Sequence, residues 1–244
     1  MKVLVAGMHR SGTSLITGLI KEMGFSIGKA DSNNENRKFQ HINEVIMSSY
    51  GLHWDSLINE NDINFIWEIK EYASRSLKKI LPKGNICLKD PRICVTAMAY
   101  ENSFEEFKII TVERPALECS YSLKKRSEKV RKKGFDDFKS QLLFHPRPRR
   151  AISLKCENMT YGEKLHKSYM NHLKSFIETG KYESHLNINF KELVKNPLDG
   201  VDRLYKFLGL KRDYNLKKIS DKVDKSINEK YENILKSYIL NKEP

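Results

Sequence analysis

The sequence predicts a three-layer, P-loop-like α/β fold in which helices flank a central parallel sheet. Four short segments rich in β-branched and other apolar residues are typical of buried strands, near 2–6, 85–89, 107–112 and 185–189. Segments with helical periodicity separate them, and strands joined through helices pair in parallel by right-handed crossovers. At 244 residues, the chain suits one domain spanning 1–244.

Apolar residues recur at helical spacing between and after these strands. The predicted helices lie near 12–23, 41–50, 62–81, 94–102, 115–128, 160–180, 198–208 and 226–240. The last of them belongs to residues 211–244, which are rich in lysine and asparagine and predict a peripheral helical tail.

The segment after the first predicted strand has the form of a phosphate cradle. Gly7 and Gly12 frame a tight loop before a helix, so that backbone N–H groups and the positive end of the helix dipole converge on one point. The Gly-x4-Gly spacing matches a P-loop, but Thr13-Ser14 stand where a P-loop nucleotidase has Lys-Ser/Thr. The cation in this loop is Arg10. The polar segment 29–40 predicts a second loop beside this phosphate site.

Residues 10–14, Arg-Ser-Gly-Thr-Ser, resemble the 5′-phosphosulfate loop of sulfotransferases that use 3′-phosphoadenosine 5′-phosphosulfate (PAPS). The resemblance implies that the chain binds PAPS and its product, adenosine 3′,5′-bisphosphate (PAP), without a metal. The implied donor-binding residues are Arg10, Ser11, Gly12, Thr13 and Ser14. Because negative charge grows on the leaving phosphate, Arg10 is also a candidate catalytic residue.

A second matching segment is the predicted strand 108–114 with the helix that follows it. The family places an Arg at the end of such a strand and a Ser eight positions later, and both hold the 3′-phosphate of the cofactor. Arg114 and Ser122 have this spacing, and a guanidinium suits bidentate phosphate binding. The family usually has Arg-x-Pro, whereas this chain has Arg114-Pro115, so Ser120 remains a second candidate for the hydroxyl.

Two further segments complete the resemblance, which covers residues 3 to about 210. Residues 89–92, Lys-Asp-Pro-Arg, resemble a motif near the transferred sulfuryl group in many bacterial sulfotransferases, and this implies catalytic roles for Lys89 and Asp90. Residues 188–210 resemble the closing strand and helix of the family, to which we assign no chemistry.

An acceptor hydroxyl also needs a general base. Many bacterial relatives have Phe-Glu after an Asn-x-x-Gly loop, but the corresponding residues here are Phe39-Gln40, and glutamine cannot accept the proton. His41, Glu44 and Asp90 remain as candidates, and His41 has a suitable unperturbed pKa.

The formal net charge is +13, and residues 123–150 contain eleven basic and three acidic residues. This segment predicts a basic lid or rim at the cofactor cleft that attracts an anionic donor and an acidic acceptor. No aromatic-interleaved RNA-binding motif accompanies the charge, so nucleic acid is not the expected partner. The resemblance implies a carbohydrate or glycolipid acceptor. Phe39, Trp54 and Tyr100 are candidates for stacking on sugar rings, although packing is the commoner role of such aromatics.

Hydropathy and the spacing of cysteine and histidine indicate the cellular environment and the metal content to expect. No apolar stretch approaches the ~20 residues of a membrane span, and neither cysteine spacing nor histidine clustering predicts a metal site. We therefore expect a cytoplasmic, metal-free protein with free thiols. Two other functions remain open: a P-loop-type nucleotide kinase or hydrolase, and a non-catalytic basic protein that binds nucleotides or anionic polymers.

Overall fold

The computed structural model describes residues 1–59, 69–81, 83–141 and 153–211. Three predictions fall wholly or partly outside these residues. They are the helix near 226–240 with most of the tail 211–244, the first part of the helix near 62–81, and the 142–150 end of the basic segment.

In the described part of the chain, four parallel strands form the central sheet, as predicted. They are β1 (Lys2–Ala6), β2 (Ile86–Lys89), β3 (Phe107–Glu113) and β4 (Ser184–Asn189), in the order β2-β1-β3-β4. The register pairs Val5 with Lys89 and Ala6 with Thr111, so β1, β2 and β3 end close to one another.

Helices connect these strands. The α-helices are α1 (Thr13–Glu22), α2 (Arg37–Ser48), α3 (Lys70–Ile80), α4 (Ile93–Thr96), α5 (Ala116–Gln141), α6 (Met159–Thr179), α7 (Phe190–Lys195) and α8 (Pro197–Leu208). Two 3₁₀ segments, Ala97–Ser103 and Lys155–Glu157, complete the described elements.

Three helix predictions differ from the structure. Helix α2 begins before the predicted residue 41, because the Asn36 side chain accepts hydrogen bonds from the Lys38 and Phe39 N–H groups and so caps an earlier first turn. Helix α5 continues past the predicted end at 128 to Gln141, since it contains no proline and its single glycine, Gly134, is tolerated within it. The segment predicted as one helix at 94–102 is a short α-helix followed by a 3₁₀ helix.

Alternating side chains of β1 pack on opposite faces of the sheet, which produces the three layers. Leu4 and Ala6 belong to a cluster built with α2, α3, α4 and α6, whereas Val3 and Val5 belong to one built with α1, α7 and α8. The prediction of helices on both sides of a parallel sheet is confirmed.

The order of the strands places a crevice between β1 and β3. The chain leaves β1 toward β2 on one side and leaves β3 toward β4 on the other. In open parallel sheets, ligands bind where the strand order reverses, outside the carboxyl ends of the strands. The loop 7–12 after β1 and Arg114 after β3 lie at this point.

Candidate functional site

The loop between β1 and α1 is a tight turn that requires its two glycines. Gly12 has φ 104°, and a Cβ atom there would overlap the Phe190 ring. A Cβ atom at Gly7 would lie 2.7 Å from the Val112 carbonyl oxygen. Arg10 adopts a left-handed conformation with φ 71°, which is uncommon for a side-chain-bearing residue and is found where a site imposes it.

The loop ends at the N-terminus of α1, where backbone N–H groups lack intrahelical acceptors. Ser11 is completely buried, and its hydroxyl forms no hydrogen bond with any described residue. A buried hydroxyl without a protein partner beside a helix N-terminus suits an anionic ligand.

One hydrogen bond joins this loop to α5. Arg10 Nε donates to Ser122 Oγ at 2.9 Å. Arg114 Nη1 donates to the Arg10 carbonyl oxygen at 3.2 Å, so the end of β3 contacts the same loop residue. The structure thus brings Arg10, Arg114 and Ser122 together.

The other hydroxyl candidate, Ser120, faces elsewhere. Its hydroxyl donates to the Ala116 carbonyl oxygen at 2.8 Å, and its Cβ packs against Gly162 of α6. Among the two serines, only Ser122 reaches the loop, because two residues along a helix rotate a side chain to a different face.

The Arg114 guanidinium is held on several sides. Its Nε donates to Glu118 at 2.9 Å, in the first turn of α5, and the group lies 4.7 Å from the centroid of the Phe190 ring. Lys191 also pairs with Glu118, at 2.6 Å. The closing segment 188–210, to which the sequence assigned no chemistry, therefore orients an arginine of the site through Phe190.

A buried ion pair lies beside the start of α1. Lys89, at the end of β2, donates to Glu35 Oε1 at 2.7 Å and to Ser14 Oγ at 3.2 Å. Gln40 Nε2 donates to the other carboxylate oxygen, Oε2, at 3.0 Å. Residues 29–36 of the polar segment form a loop beside the start of α1, since Asn34 also donates to the Ser14 carbonyl oxygen, whereas residues 37–40, predicted as part of this loop, belong to α2.

Asp90 is fully buried, and its oxygens accept several hydrogen bonds. Asn43 donates to Oδ2 at 3.0 Å, and the Arg92 guanidinium contacts both oxygens at 3.1 and 3.2 Å. Arg92 extends to Glu44 at 3.0 Å. These contacts make Asp90 an anchor that fixes Arg92 beside the site.

His9 lies against an aromatic wall. Its ring centroid is 4.9 Å from that of Trp54 and 5.9 Å from that of Tyr169. Arg126 lies 5.9 Å from the Trp54 ring, so the basic segment contributes a cation here. Burial lowers the pKa of His9 well below its usual value, and the nearby cations, with Arg92 foremost, lower it further. His9 is therefore a neutral imidazole among cations.

Comparison of the sequence with known protein families identifies the family of this chain. The sequence matches the profile described as Sulfotransferase domain over residues 1–242. The chain belongs to the sulfotransferase family. Among proteins of curated function, none matches the sequence significantly.

Three solved structures resemble the fold. Sulfotransferase STF9 from Mycobacterium avium has a TM-score of 0.49 and 14% identity over 90% of this chain. The sulfotransferase domain from the curacin biosynthetic pathway has a TM-score of 0.44 and 12% identity over 88% of this chain. Retinol dehydratase in complex with androsterone and PAP has a TM-score of 0.43 and 15% identity over 91% of this chain. The chain spans 66%, 75% and 64% of their respective lengths.

Sulfotransferases of this family use PAPS, and the site of this chain fits such a donor. The fit rests on the Ser11 hydroxyl at the helix N-terminus, which has no hydrogen-bond partner among the described residues, and on Arg10, which is exposed next to Ser122 and Arg114. Within the described ranges, no His, Cys, Asp and Glu cluster could hold a metal, and no helix could cross a membrane.

The structure sorts the other sequence candidates. His41 is exposed on α2, and within the described part of the chain it forms no hydrogen bond with the site. Phe39 and Tyr100 lie wholly within the core and cannot stack on a ligand, whereas Trp54 is only partly buried.

Sequence reasoning did not single out Glu35 or His9, and it included Arg126 only as part of the basic segment 123–150. Glu35 belongs to the polar segment 29–40, but no spacing rule indicates which side chain of such a segment points toward the loop.

Proposed function

We propose that the protein transfers the sulfuryl group of PAPS to an acceptor hydroxyl on a carbohydrate or glycolipid. The observation that carries the proposal is the hydrogen bond from Arg10 to Ser122. This bond joins the loop after β1 to the region of Arg114. A donor with separate 5′ and 3′ phosphates would need both regions in one site.

Each half of this site suits one phosphate. The N–H groups of Thr13 and Ser14, with the Ser11 hydroxyl, would surround the 5′-phosphate. Arg114 and Ser122 would hold the 3′-phosphate, since a guanidinium and a hydroxyl both donate to phosphate oxygens. Both residues are buried, at 7% and 2% exposure, so the hydrogen bonds would be little weakened by water.

PAPS supplies the sulfuryl group, and the chain supplies positive charge where the leaving phosphate becomes more negative. Arg10 is exposed at the loop, and the Lys89 ammonium contacts Ser14. Preorganised cations in a partly dehydrated site account for much of the catalysis in transfers of this kind. Asp90 acts by fixing Arg92.

The acceptor proposal is supported by the polar and aromatic groups on the α5 side of the loop. Trp54 offers a partly buried ring, and Arg126 lies over it. An aromatic face beside a cation suits a sugar ring bearing polar or acidic substituents, whereas a small phenol or steroid would need a largely apolar pocket.

Thermal shift tests the donor half of the proposal. PAP should raise Tm, whereas ATP with Mg²⁺ and an oligonucleotide should not, because only a ligand that binds the folded state stabilises it. Preferential stabilisation by ATP with Mg²⁺ would support a kinase or hydrolase instead, and stabilisation by the oligonucleotide alone would support a binding protein.

Radiolabelled PAPS with a panel of neutral and acidic glycans, and a simple phenol, tests the acceptor half. Trp54→Ala should raise KM for a glycan acceptor and leave PAP binding unchanged. Efficient sulfation of the phenol with no turnover on any glycan would overturn the acceptor assignment.

A further inference from the structure

Transfer to a hydroxyl releases a proton, and the described site offers few groups to take it. Asp90 is fully buried and accepts hydrogen bonds from Asn43 and Arg92, and Glu44 pairs with Arg92. Glu35 is also paired, with Lys89 and Gln40, but these contacts place it beside the start of α1. His41 is exposed on α2, outside the hydrogen bonds of the site.

Glu35 differs from these groups in its position. Its carboxylate shares the Lys89 ammonium with Ser14, which lies in the first turn of α1. The carboxylate therefore lies beside the helix N-terminus at which the sulfuryl group is proposed to bind. The main chain is fixed as well, because the Glu35 N–H group donates to Asp31 Oδ1 at 2.9 Å.

We propose that Glu35 is the general base of the reaction and that Gln40 is a positioning residue that holds its second oxygen. This inference rests on the proposed function. The Gln40 amide nitrogen is 3.0 Å from Glu35 Oε2, so the two side chains end at almost the same place. A carboxylate at position 40 would lie beside that of Glu35, whereas an amide there can donate to it.

The electrostatics of the pocket agree with this role. Burial raises the pKa of Glu35, and Asp90 and Asp31 raise it further, while the Lys89 ammonium opposes the rise. Arg92 and Arg126 also face this carboxylate. The net rise brings the carboxylate closer to the pKa range in which a general base is effective near neutral pH.

The acceptor oxygen forms a new bond to sulfur while the bond from sulfur to the 5′-phosphate oxygen breaks, and the electron pair of that bond stays on the phosphate. The acceptor proton moves to Glu35 and later to solvent. The products are a sulfate ester and PAP.

Exchanging the two side chains provides the sharpest test. The probe is PAP release from PAPS, with water alone and with the glycan panel, between pH 5 and 9. Glu35→Gln should lower kcat by about 100-fold, within the usual range for loss of a general base, and remove the acidic limb of the pH profile. The kcat of the double variant Glu35→Gln/Gln40→Glu should be at least about tenfold higher than that of Glu35→Gln, because the carboxylate at position 40 lies near the original one. Glu178→Gln, in an exposed i,i+4 pair on α6, is the matched control.

Two readouts separate this inference from the proposed function. PAP affinity, measured by calorimetry, should be nearly the same in Glu35→Gln as in the wild type. Carbon-13 NMR of labelled glutamate should show one carboxyl, absent in Glu35→Gln, that titrates above the ordinary glutamate range near about 4.3.

Four results would overturn the inference while PAP binding stands. They are full kcat in Glu35→Gln, loss of the acidic limb in His41→Gln instead, a double variant that binds PAP but is no faster than Glu35→Gln, and ordinary titration of the Glu35 carboxyl. A wild type that neither binds PAP nor releases it from PAPS would contradict the proposed function and this inference together.

Discussion

The side chain of Arg10 donates a 2.9 Å hydrogen bond to the hydroxyl of Ser122, 112 residues further along the chain. Arg10 belongs to the loop after β1, and Ser122 belongs to α5, the helix that follows β3. Because β1 and β3 are neighbours in the sheet, their carboxyl ends place these two residues together. The bond connects the two halves of the proposed donor site.

The two serines of α5 provide a matched test of this connection. Ser122→Ala should weaken PAP binding by about 1 kcal/mol, the scale for one hydrogen bond, because the hydroxyl faces Arg10. Ser120→Ala should leave PAP affinity unchanged, since that hydroxyl donates within α5. Calorimetric titration measures both. Equal losses in the two variants would show that Ser122 has no special place in the site.

Arg10 should act on the leaving phosphate more than on the bound ground state. Arg10→Ala should therefore lower kcat by a larger factor than it raises KM for PAPS, because an interaction that strengthens in the transition state appears in kcat. Arg10→Lys should keep part of the activity, since it keeps a cation in the loop. Initial rates over a range of PAPS concentrations measure this split, and a change in KM alone would make Arg10 a binding residue.

The sequence predicted more of the donor side than of the acceptor side. The strand pattern and the loop of glycines specify β1 and the start of α1, and the eight-residue spacing of Arg114 and Ser122 brings both to Arg10 in the structure. The spacing of Arg114 and Ser122 is informative because Ser122 belongs to α5 and Arg114 lies just before it, so that local helix geometry relates the two residues.

The remaining contacts depend on tertiary placement. The pair of Lys89 and Glu35 joins residues 54 positions apart, and its geometry follows from how the loop before α2 folds over α1. The Phe190 ring contacts both Gly12 and Arg114 only because α7 docks at the end of β4. Periodicity describes which face of an element is buried, but it does not describe which distant side chain meets it.

Gly12 should be needed for the shape of the loop. Gly12→Ala should destabilise the fold by about 1–3 kcal/mol through its left-handed backbone alone, with a further loss from overlap with Phe190. Gly51→Ala is the control, because Gly51 has φ 68° and open space around it. Urea unfolding compares the two variants. A Gly12→Ala protein as stable as Gly51→Ala, with unchanged PAP affinity, would contradict the tight-loop description.

His9 should make the stability of the protein fall in acid. Because the folded-state pKa is lowered, the unfolded chain binds the proton first, so the free energy of unfolding decreases as pH falls below about 6.5, the unfolded value. His9→Gln should flatten this decrease, although His166 and His185, whose pKa values burial also lowers, retain part of it.

Urea unfolding of His9→Gln at pH 7.5 and pH 5 measures the effect. The variant should gain stability relative to the wild type as pH falls. The exposed residue His41 offers the control, and His41→Gln should follow the wild type at both pH values. Parallel curves for wild type and His9→Gln would show that His9 is not held neutral by its burial.

Calorimetric comparison of PAP with AMP tests the central claim most directly, because the two ligands differ only in the 3′-phosphate. The wild type should bind PAP more tightly than AMP by about 2–4 kcal/mol, the scale of a buried charge-assisted pair. Arg114→Ala should remove most of this difference, whereas Arg75→Ala, in an exposed pair on α3, should preserve it. Equal affinity of the wild type for PAP and AMP would contradict the two-phosphate site on which the account rests.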